Sequence, residues 1–272
     1  MSVMLTLSTC AFNLPPEDHA GWVKALDLAM ETGFAGFEIS MYPGMDTTGI
    51  RQAFRDTRAP VIAVHGIMGG DSCSATPEVR ENAARTAGEY LERFAEFAGV
   101  PAVEHYWNRF NAPEKALYFH ETSAMLLEKM EKNGFIFCME NAPYKPEVNE
   151  RYPDVDEVAA FARSFGENRM FITLDLNHVN LHEDPFEVIR KHTGSIRHVH
   201  ISDNHGMREE HLPPGQGTIP LAECFRTLRR EGFTGPCNLE MVFRTPGIPE
   251  KTILAGVFDY CQKIFAPQGE TV

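Results

Sequence analysis

The sequence predicts an α/β fold, a single closed (β/α)8 barrel, and three observations carry that prediction. Strand-like and helix-like segments alternate eight times from end to end. No Pro/Ser-rich linker or change of composition divides the 272 residues. Polar side chains able to do chemistry close most of the apolar strand-like runs, not one alone. Alternation of this kind implies parallel strands with crossover helices, and eight repeats at this length fit a closed barrel. An open, doubly wound sheet is the runner-up. Against it, no GxGxxG follows the first strand and the polar groups do not gather at one crevice. One domain, residues 1–272, is expected.

The elements follow in order. Met4–Phe12, with β-branched and small residues, reads as the first strand. Asp18–Thr32 carries an apolar face at Trp22, Leu26, Ala29 and Met30, at helical spacing, and Gly33 is its stop. Gly36–Ser40 is the second strand and Thr48–Asp56 the next helix. Pro60–Gly66 is the third strand, bounded by Pro before and Gly after. Pro77–Ala98 is the longest helical run, with Val79, Ala83, Ala87 and Leu91 on one stripe. Ala102–Trp107 reads as a fourth strand, weakened by Glu104 and His105. Pro113–Lys132 is helical and stops at Asn133-Gly134. Phe135–Met139 is the fifth strand, Val155–Phe165 a helix and Met170–Leu174 the sixth strand. Pro185–His192 starts as a helix should, with Asp184 as N-cap and Pro in the first turn. Arg197–Ile201, Leu221–Glu231, Pro236–Leu239 and Pro249–Phe265 complete the alternation.

The net charge of −13, from 25 basic and 38 acidic side chains, disfavours a surface that tracks phosphates. No Lys/Arg cluster stands out, so no nucleic-acid partner is expected. The six cysteines form no CxxC pair, and Cys138 and Cys237 fall in strands where a reduced thiol acts as a small hydrophobe. There is no Asn-x-Ser/Thr sequon, no secretory-type N-terminus and no 18-residue apolar stretch. The expected protein is reduced, cytoplasmic and not membrane-bound. Its oligomeric state stays open, although barrels of this size often pair.

The strand ends hold the chemistry. In order they are Glu38, His65, Glu104-His105, Glu140-Asn141, Asp175 with His178, His200 with Asp203, and Glu240. Side chains at the C-terminal face of a barrel converge. A buried cluster of carboxylates repels itself, and a divalent cation is the simplest way to neutralise it. Glu140, Asp175 and Glu240 with the His200 imidazole make a mixed set of three oxygens and one nitrogen. That suits a hard or borderline divalent ion with open positions, Mn2+, Mg2+ or Co2+ over a structural Zn2+. His211 lies in a Pro/Gly-rich loop, Met207–Gly217, able to reach over the barrel mouth. His205 sits in a turn-like Asn-His-Gly. His182, His192 and His198 fall on helices or on an outward strand face and are not site candidates. Trp107 and Phe243, beside strand ends, offer an apolar wall for a sugar's C–H face, and Tyr42 and Tyr144 have similar standing.

Several segments then fall into one pattern: Met139-Glu140-Asn141, Leu174-Asp175-x-x-His178, His198-Val-His200-Ile-Ser-Asp203, His211-x-x-x-Gly215-x-Gly217, and Gly232-Phe-Thr-Gly-Pro ahead of Leu239-Glu240. Together they resemble the xylose-isomerase-like TIM-barrel superfamily, which includes sugar-phosphate isomerases and epimerases, ketose 3-epimerases, hydroxypyruvate isomerase and endonuclease IV. The resemblance covers essentially the whole chain and is sharpest over 135–243. It implies that Glu140, Asp175, His200 and Glu240 hold one divalent metal, commonly Mn2+. Glu140 and Glu240 would also move protons, and His178 would contact substrate oxygens. His65, His105, His211, Asn141 and Trp107 are the further expected substrate contacts. The implied activity is proton transfer through a metal-stabilised enediolate on a small keto-sugar or related polyol, giving epimerisation or isomerisation.

Two alternatives stay open. A metal-dependent lyase would dehydrate a keto-cyclitol or dehydroshikimate-like acid on the same platform, with Arg109 or Arg244 on the carboxylate. An endonuclease IV-like phosphodiesterase would bind three zinc ions through added histidines, and His65, His105 and Glu209-x-His211 stand at matching places. The acidic balance, the lack of basic loops and Glu209 in place of the usual Asp weigh against it. A barrel that only binds would have a broken ligand set, and this set is intact.

Overall fold

The computed structural model describes residues 4–40, 44–66, 68–106, 113–143, 153–243 and 247–266. Eight parallel strands close in sequence order: β1 Leu5–Ser8, β2 Phe37–Ser40, β3 Val61–His65, β4 Pro101–His105, β5 Ile136–Glu140, β6 Met170–Asp175, β7 Ile196–Ile201 and β8 Cys237–Leu239. β8 pairs back onto β1, so no sheet edge is left. Around them run α1 His19–Thr32, α2 Thr48–Thr57, α3 Pro77–Glu92, α4 Pro113–Lys132, α5 Val155–Ser164, α6 Leu176–Val179, α7 Pro185–His192, α8 Leu221–Arg230 and α9 Lys251–Phe265. The predicted (β/α)8 TIM barrel is the fold observed.

Local chemistry explains the boundaries. Asp18, Asp154 and Asp184 each accept main-chain N–H groups at the start of α1, α5 and α7. Gly33 ends α1 at φ 118°, a left-handed conformation that glycine adopts freely. The main core lies between strands and helices, where Trp22, Leu26, Phe37, Phe54 and Phe94 are buried. A second, smaller cluster of Ala63, Val103 and Cys138 shares strand parity with His65, His105 and Glu140, and forms an apolar floor within the barrel.

Several expected boundaries shift. The first strand stops at Ser8, where the chain enters a 3-10 turn over Thr9–Ala11. The helix expected to reach Ala98 ends at Glu92, because the chain turns inward to bury Phe94 against the Tyr90 ring. The short helix α6 has no counterpart in the sequence pattern; four residues are too few for a periodic signal. Asp175 caps it, accepting the Asn177 and His178 amides at 2.5 and 3.1 Å. Fifth and sixth strands also run one residue further than expected, so Glu140 and Asp175 are the last residues of their strands.

Candidate metal centre

Strand register brings the expected ligands together. Across the barrel wall His105 pairs with Glu140, Asp175 with His200, and His200 with Asn238. Side chains alternate along each strand, so these residues point into the same cavity at one level, with Glu240 one step above Asn238. Glu140, Asp175 and His200 are wholly buried and Glu240 nearly so. One ligand atom from each of the four lies within 4.8 Å of the others. His200 Nδ1 is 3.0 Å from Glu140 Oε1 and 3.2 Å from Glu240 Oε2.

Two further groups flank these four. His65 and His105 share Glu140 Oε2, at 3.5 and 3.3 Å from their Nε2 atoms. His178 and His211 share Glu209 Oε1, at 3.2 and 2.8 Å from theirs. Three of the imidazoles are held by the same device. Nδ1 of His65 is 3.2 Å from the Val103 carbonyl, that of His178 2.6 Å from the Asn141 carbonyl, and that of His211 3.0 Å from the Glu240 carbonyl. A carbonyl only accepts, so each Nδ1 carries its proton and each Nε2 faces a carboxylate oxygen. A lone pair facing an anion is repulsive unless a proton or a cation lies between them.

The electrostatics match that reading. Burial alone would lower His178, but the Asp175 carboxylate and the Glu209 hydrogen bond carry it up to about 10. His211 rises to about 9 in the same way, through Glu209 and Glu240. His200 is raised well above its ordinary value by Glu38, Glu240 and Glu140, against burial. Burial pushes Asp175 up to about 7, with Glu140 and Glu240 adding to it and His178 opposing. For Glu140 and Glu240, burial pushes upward, but the surrounding imidazoles, His200 first, hold both below the usual carboxylate range. Glu140 Oε2, Asp175 Oδ2 and Glu240 Oε2 are buried without a hydrogen-bond partner. Three orphaned carboxylate oxygens around one imidazole nitrogen fit a divalent ion with oxygen-rich coordination. All five candidate histidines, His65, His105, His178, His200 and His211, stand within 3.5 Å of a carboxylate oxygen.

The remaining expectations divide. Asn141 does not open to the pocket: it is fully buried, its amide donating to the Asp175 carbonyl at 3.1 Å and accepting the Asp175 N–H at 2.8 Å. Since Glu140 points inward, alternation turns Asn141 outward, and it ties β5 to the end of β6. His198, expected on an outward face, is instead inside the barrel, 3.0 Å from Glu38 Oε2; residues two apart on one strand share a face, so His198 follows His200. Trp107, Tyr42, Tyr144, Arg109 and Arg244 lie outside the described residues. Phe243 lines an apolar cavity of about 500 Å³ with Leu212, Val242 and Ile253, and none of the carboxylates or histidines above is among its lining residues. His205 pairs with Glu210 at the surface.

The loop bearing Glu209 and His211 is built by Asp203. Its main chain exchanges two hydrogen bonds with Leu212, at 2.8 and 2.9 Å. Its carboxylate accepts the amides of Asn204, Gly215 and Ile219 at 2.9–3.1 Å. Clamped in this way, the loop holds His211 at φ 47°, a left-handed conformation that is uncommon for a residue with a side chain. Glu38 and Asn238 are absent from the metal and substrate contacts expected from the sequence, yet both sit beneath His200.

A closed barrel with a buried carboxylate–imidazole centre at the C-terminal ends of its strands defines the class. Within it, the chain belongs to the xylose isomerase-like TIM barrel family, whose sequence profile it matches over residues 26–261. An uncharacterised protein of Mycobacterium tuberculosis is 26% identical over 235 residues, covering 80% of this chain and 82% of that one. Fructoselysine 3-epimerase of Escherichia coli O157:H7 is 30% identical over 124 residues, 45% of this chain and 44% of its own. Among solved structures, D-psicose 3-epimerase from Clostridium cellulolyticum H10 superposes with a TM-score of 0.77 at 17% identity, covering 98% of this chain and all of the other. No helix among the described residues is long and apolar enough to cross a membrane.

Proposed function

We propose that the protein is a divalent-metal-dependent sugar epimerase or isomerase that moves a proton at a carbon next to a carbonyl. The observation that carries this reading is the four-residue centre with its three orphaned carboxylate oxygens. The similarity to proteins named as sugar 3-epimerases supports the substrate class. Glu140, Asp175, His200 and Glu240 would hold the ion, with Mn2+ the favoured occupant. A bound divalent ion polarises adjacent carbonyl and hydroxyl oxygens of the sugar and stabilises the charge left when the C–H proton departs.

The chain's own residues would do the rest. Glu140 and Glu240 are held ionised at neutral pH, so either can accept a proton. They stand on β5 and β8, with two strands between them around the ring. One can therefore remove a proton from one face of a flat intermediate and the other return it to the opposite face. Return to the opposite face gives epimerisation, and return to the neighbouring carbon gives isomerisation. His178, fixed through Nδ1, presents Nε2 beside Asp175 and Glu209 as a donor to a sugar oxygen.

The test is incubation of Mn2+-loaded protein with a ketose and cyclitol panel in D2O. Deuterium should enter one carbon of a sugar, and Glu240→Gln should abolish that exchange while the fold survives. Exchange undiminished in Glu240→Gln would contradict the glutamate pair.

A second reading is favoured by the flanking groups. His65/His105/Glu140 and His178/Glu209/His211 could each hold an ion beside the central one, the arrangement of a polynuclear phosphodiesterase. Metal counting on purified, reloaded protein separates the two. One ion per chain supports the sugar enzyme; three supports phosphoester hydrolysis.

A further inference from the structure

Beneath the four-residue centre lies a buried polar network that the proposed chemistry does not use. Glu38, on β2, is fully buried among β1, β7 and β8. Its Oε2 lies 2.7 Å from His200 Nε2 and 3.0 Å from His198 Nε2. Its Oε1 accepts from Asn238 Nδ2 at 3.0 Å, and Asn238 Oδ1 in turn accepts from Thr6 Oγ1 at 3.2 Å. No Lys or Arg is paired with this carboxylate among the described residues; imidazole and amide N–H groups hold it.

These three residues, Glu38, His198 and His200, could be read as a small metal site of their own. The hydrogen bonds argue otherwise. Both Glu38 oxygens are already engaged at ordinary hydrogen-bond distances, whereas Glu140, Asp175 and Glu240 each keep a buried oxygen without a hydrogen bond, facing imidazoles at 3.2–3.6 Å. Both oxygens of Glu38 are therefore used, and the carboxylate oxygens left without a hydrogen bond lie one level above it.

The consequence for His200 is specific. A carboxylate accepts only, so the imidazole nitrogen facing Glu38 must carry a proton. With Nε2 protonated, the other nitrogen, Nδ1, is the one able to give up its proton and offer a lone pair toward Glu140 and Glu240. We propose that Glu38 is a positioning residue that fixes His200 with Nε2 protonated and Nδ1 turned to the metal, with His198 and Asn238 holding Glu38 in place. This rests on the reading that Glu140, Asp175, His200 and Glu240 bind an ion.

Glu38→Gln is the discriminating change because it keeps the shape and inverts the polarity. Asn238 Nδ2 would draw the glutamine oxygen toward itself and leave the glutamine NH2 facing His200. His200 Nε2 would then have to accept, which puts the proton on Nδ1, where the ion should sit. Partners of this kind usually alter metal affinity 10- to 100-fold.

The experiment titrates Zn2+ into apo wild type, Glu38→Gln and Glu38→Asp by calorimetry, with thermal unfolding of each apo protein as the fold control. Long-range 15N–1H spectra of histidine-labelled, Zn2+-loaded protein give the second readout. Affinity should fall on the order of 10- to 100-fold in Glu38→Gln, with apo melting close to wild type, and recover in part in Glu38→Asp. In loaded wild type, His200 should show a slowly exchanging proton on Nε2 and none on Nδ1. Wild-type binding with equal affinity in Glu38→Gln would overturn the role of Glu38 alone. A His200 proton found on Nδ1 in loaded wild type would overturn it equally, and that measurement needs no variant. A wild type that binds no ion would overturn the metal reading as well.

Discussion

If the four-residue centre binds an ion as proposed, protons and the ion compete for the same atoms, and the shifted groups set the expected count. His200 is raised well above its ordinary value and Asp175 to about 7, so at pH 7 the apo centre holds one proton on His200 and roughly half of one on Asp175. Glu140 and Glu240 are already ionised and contribute none. One ion entering the four-residue centre should therefore release roughly 1.5 protons at pH 7. From pH 6 to 8, His200 contributes about two decades of affinity and Asp175 about one, a rise of about a thousandfold. The flanking groups change the number. His178, at about 10, and His211, at about 9, are both charged at pH 7, while His105 is pushed down to about 4, chiefly by desolvation, and adds nothing. Filling those positions too would release about 3.5 protons in all. Calorimetric titration of apo protein with Mn2+ or Zn2+, in buffers of different ionisation enthalpy, reads this count directly. Heats independent of buffer at pH 7, with affinity flat from pH 6 to 8, would refute the view that ion and protons share these ligands.

The same contacts bear on stability. The melting temperature gained on metal loading should widen from pH 6 to 9. In the apo protein, protons on Asp175 and His200 stand where the ion would, and the stability they bring is lost as pH climbs, between about 4 and 7 for Asp175 and at higher pH for His200, so the ion's share grows. A gap that narrows with pH, seen by thermal scans with and without chelator, would reverse the sign. Asn141→Ala removes two buried hydrogen bonds to the Asp175 main chain, and should lower unfolding free energy in urea by about 2–3 kcal/mol and weaken metal binding; a neutral effect on both would mean Asp175 needs no such tie. Asp203→Ala strips the acceptor from three main-chain amides, so the loop over 205–217 should become protease-sensitive and stability should fall by about 2 kcal/mol or more, read by limited proteolysis and urea unfolding. Gly217→Ala should act in the same direction, since its Cβ would stand 2.3 Å from the Asn204 carbonyl oxygen.

What could be read from the sequence was whatever interrupts an apolar run. Glu140, Asp175, His200 and Glu240 stand out because a parallel barrel strand is hydrophobic almost throughout, so a charged group at its end has a reason to be there. The closed topology followed from the alternation of elements, and the helix start at Asp184 from capping chemistry. What could not be read is anything that depends on which strand lies across the cavity. Glu38 looks like one more strand-end carboxylate until β2 is seen facing His198 and His200 on β7, and a register shift between Phe37 and Glu38 separates that placement from any simple count along the strand.

Two misplacements are more instructive, because strand alternation already held the answer. His198 lies two residues before His200 and must share its face; Asn141 follows Glu140 and must take the other. Applying that parity along β5 and β7 sorts the polar residues into two sets. The inward set, Glu140, His198 and His200, makes the centre and its foundation. The outward Asn141 ties neighbouring strands. In a barrel this small, a side chain that holds its neighbour in place and one that holds an ion differ by a single step along the strand. Glu38 holds the His200 imidazole from below and Asn141 holds the Asp175 main chain from outside, so two of the four residues of the candidate centre are supported from beyond it.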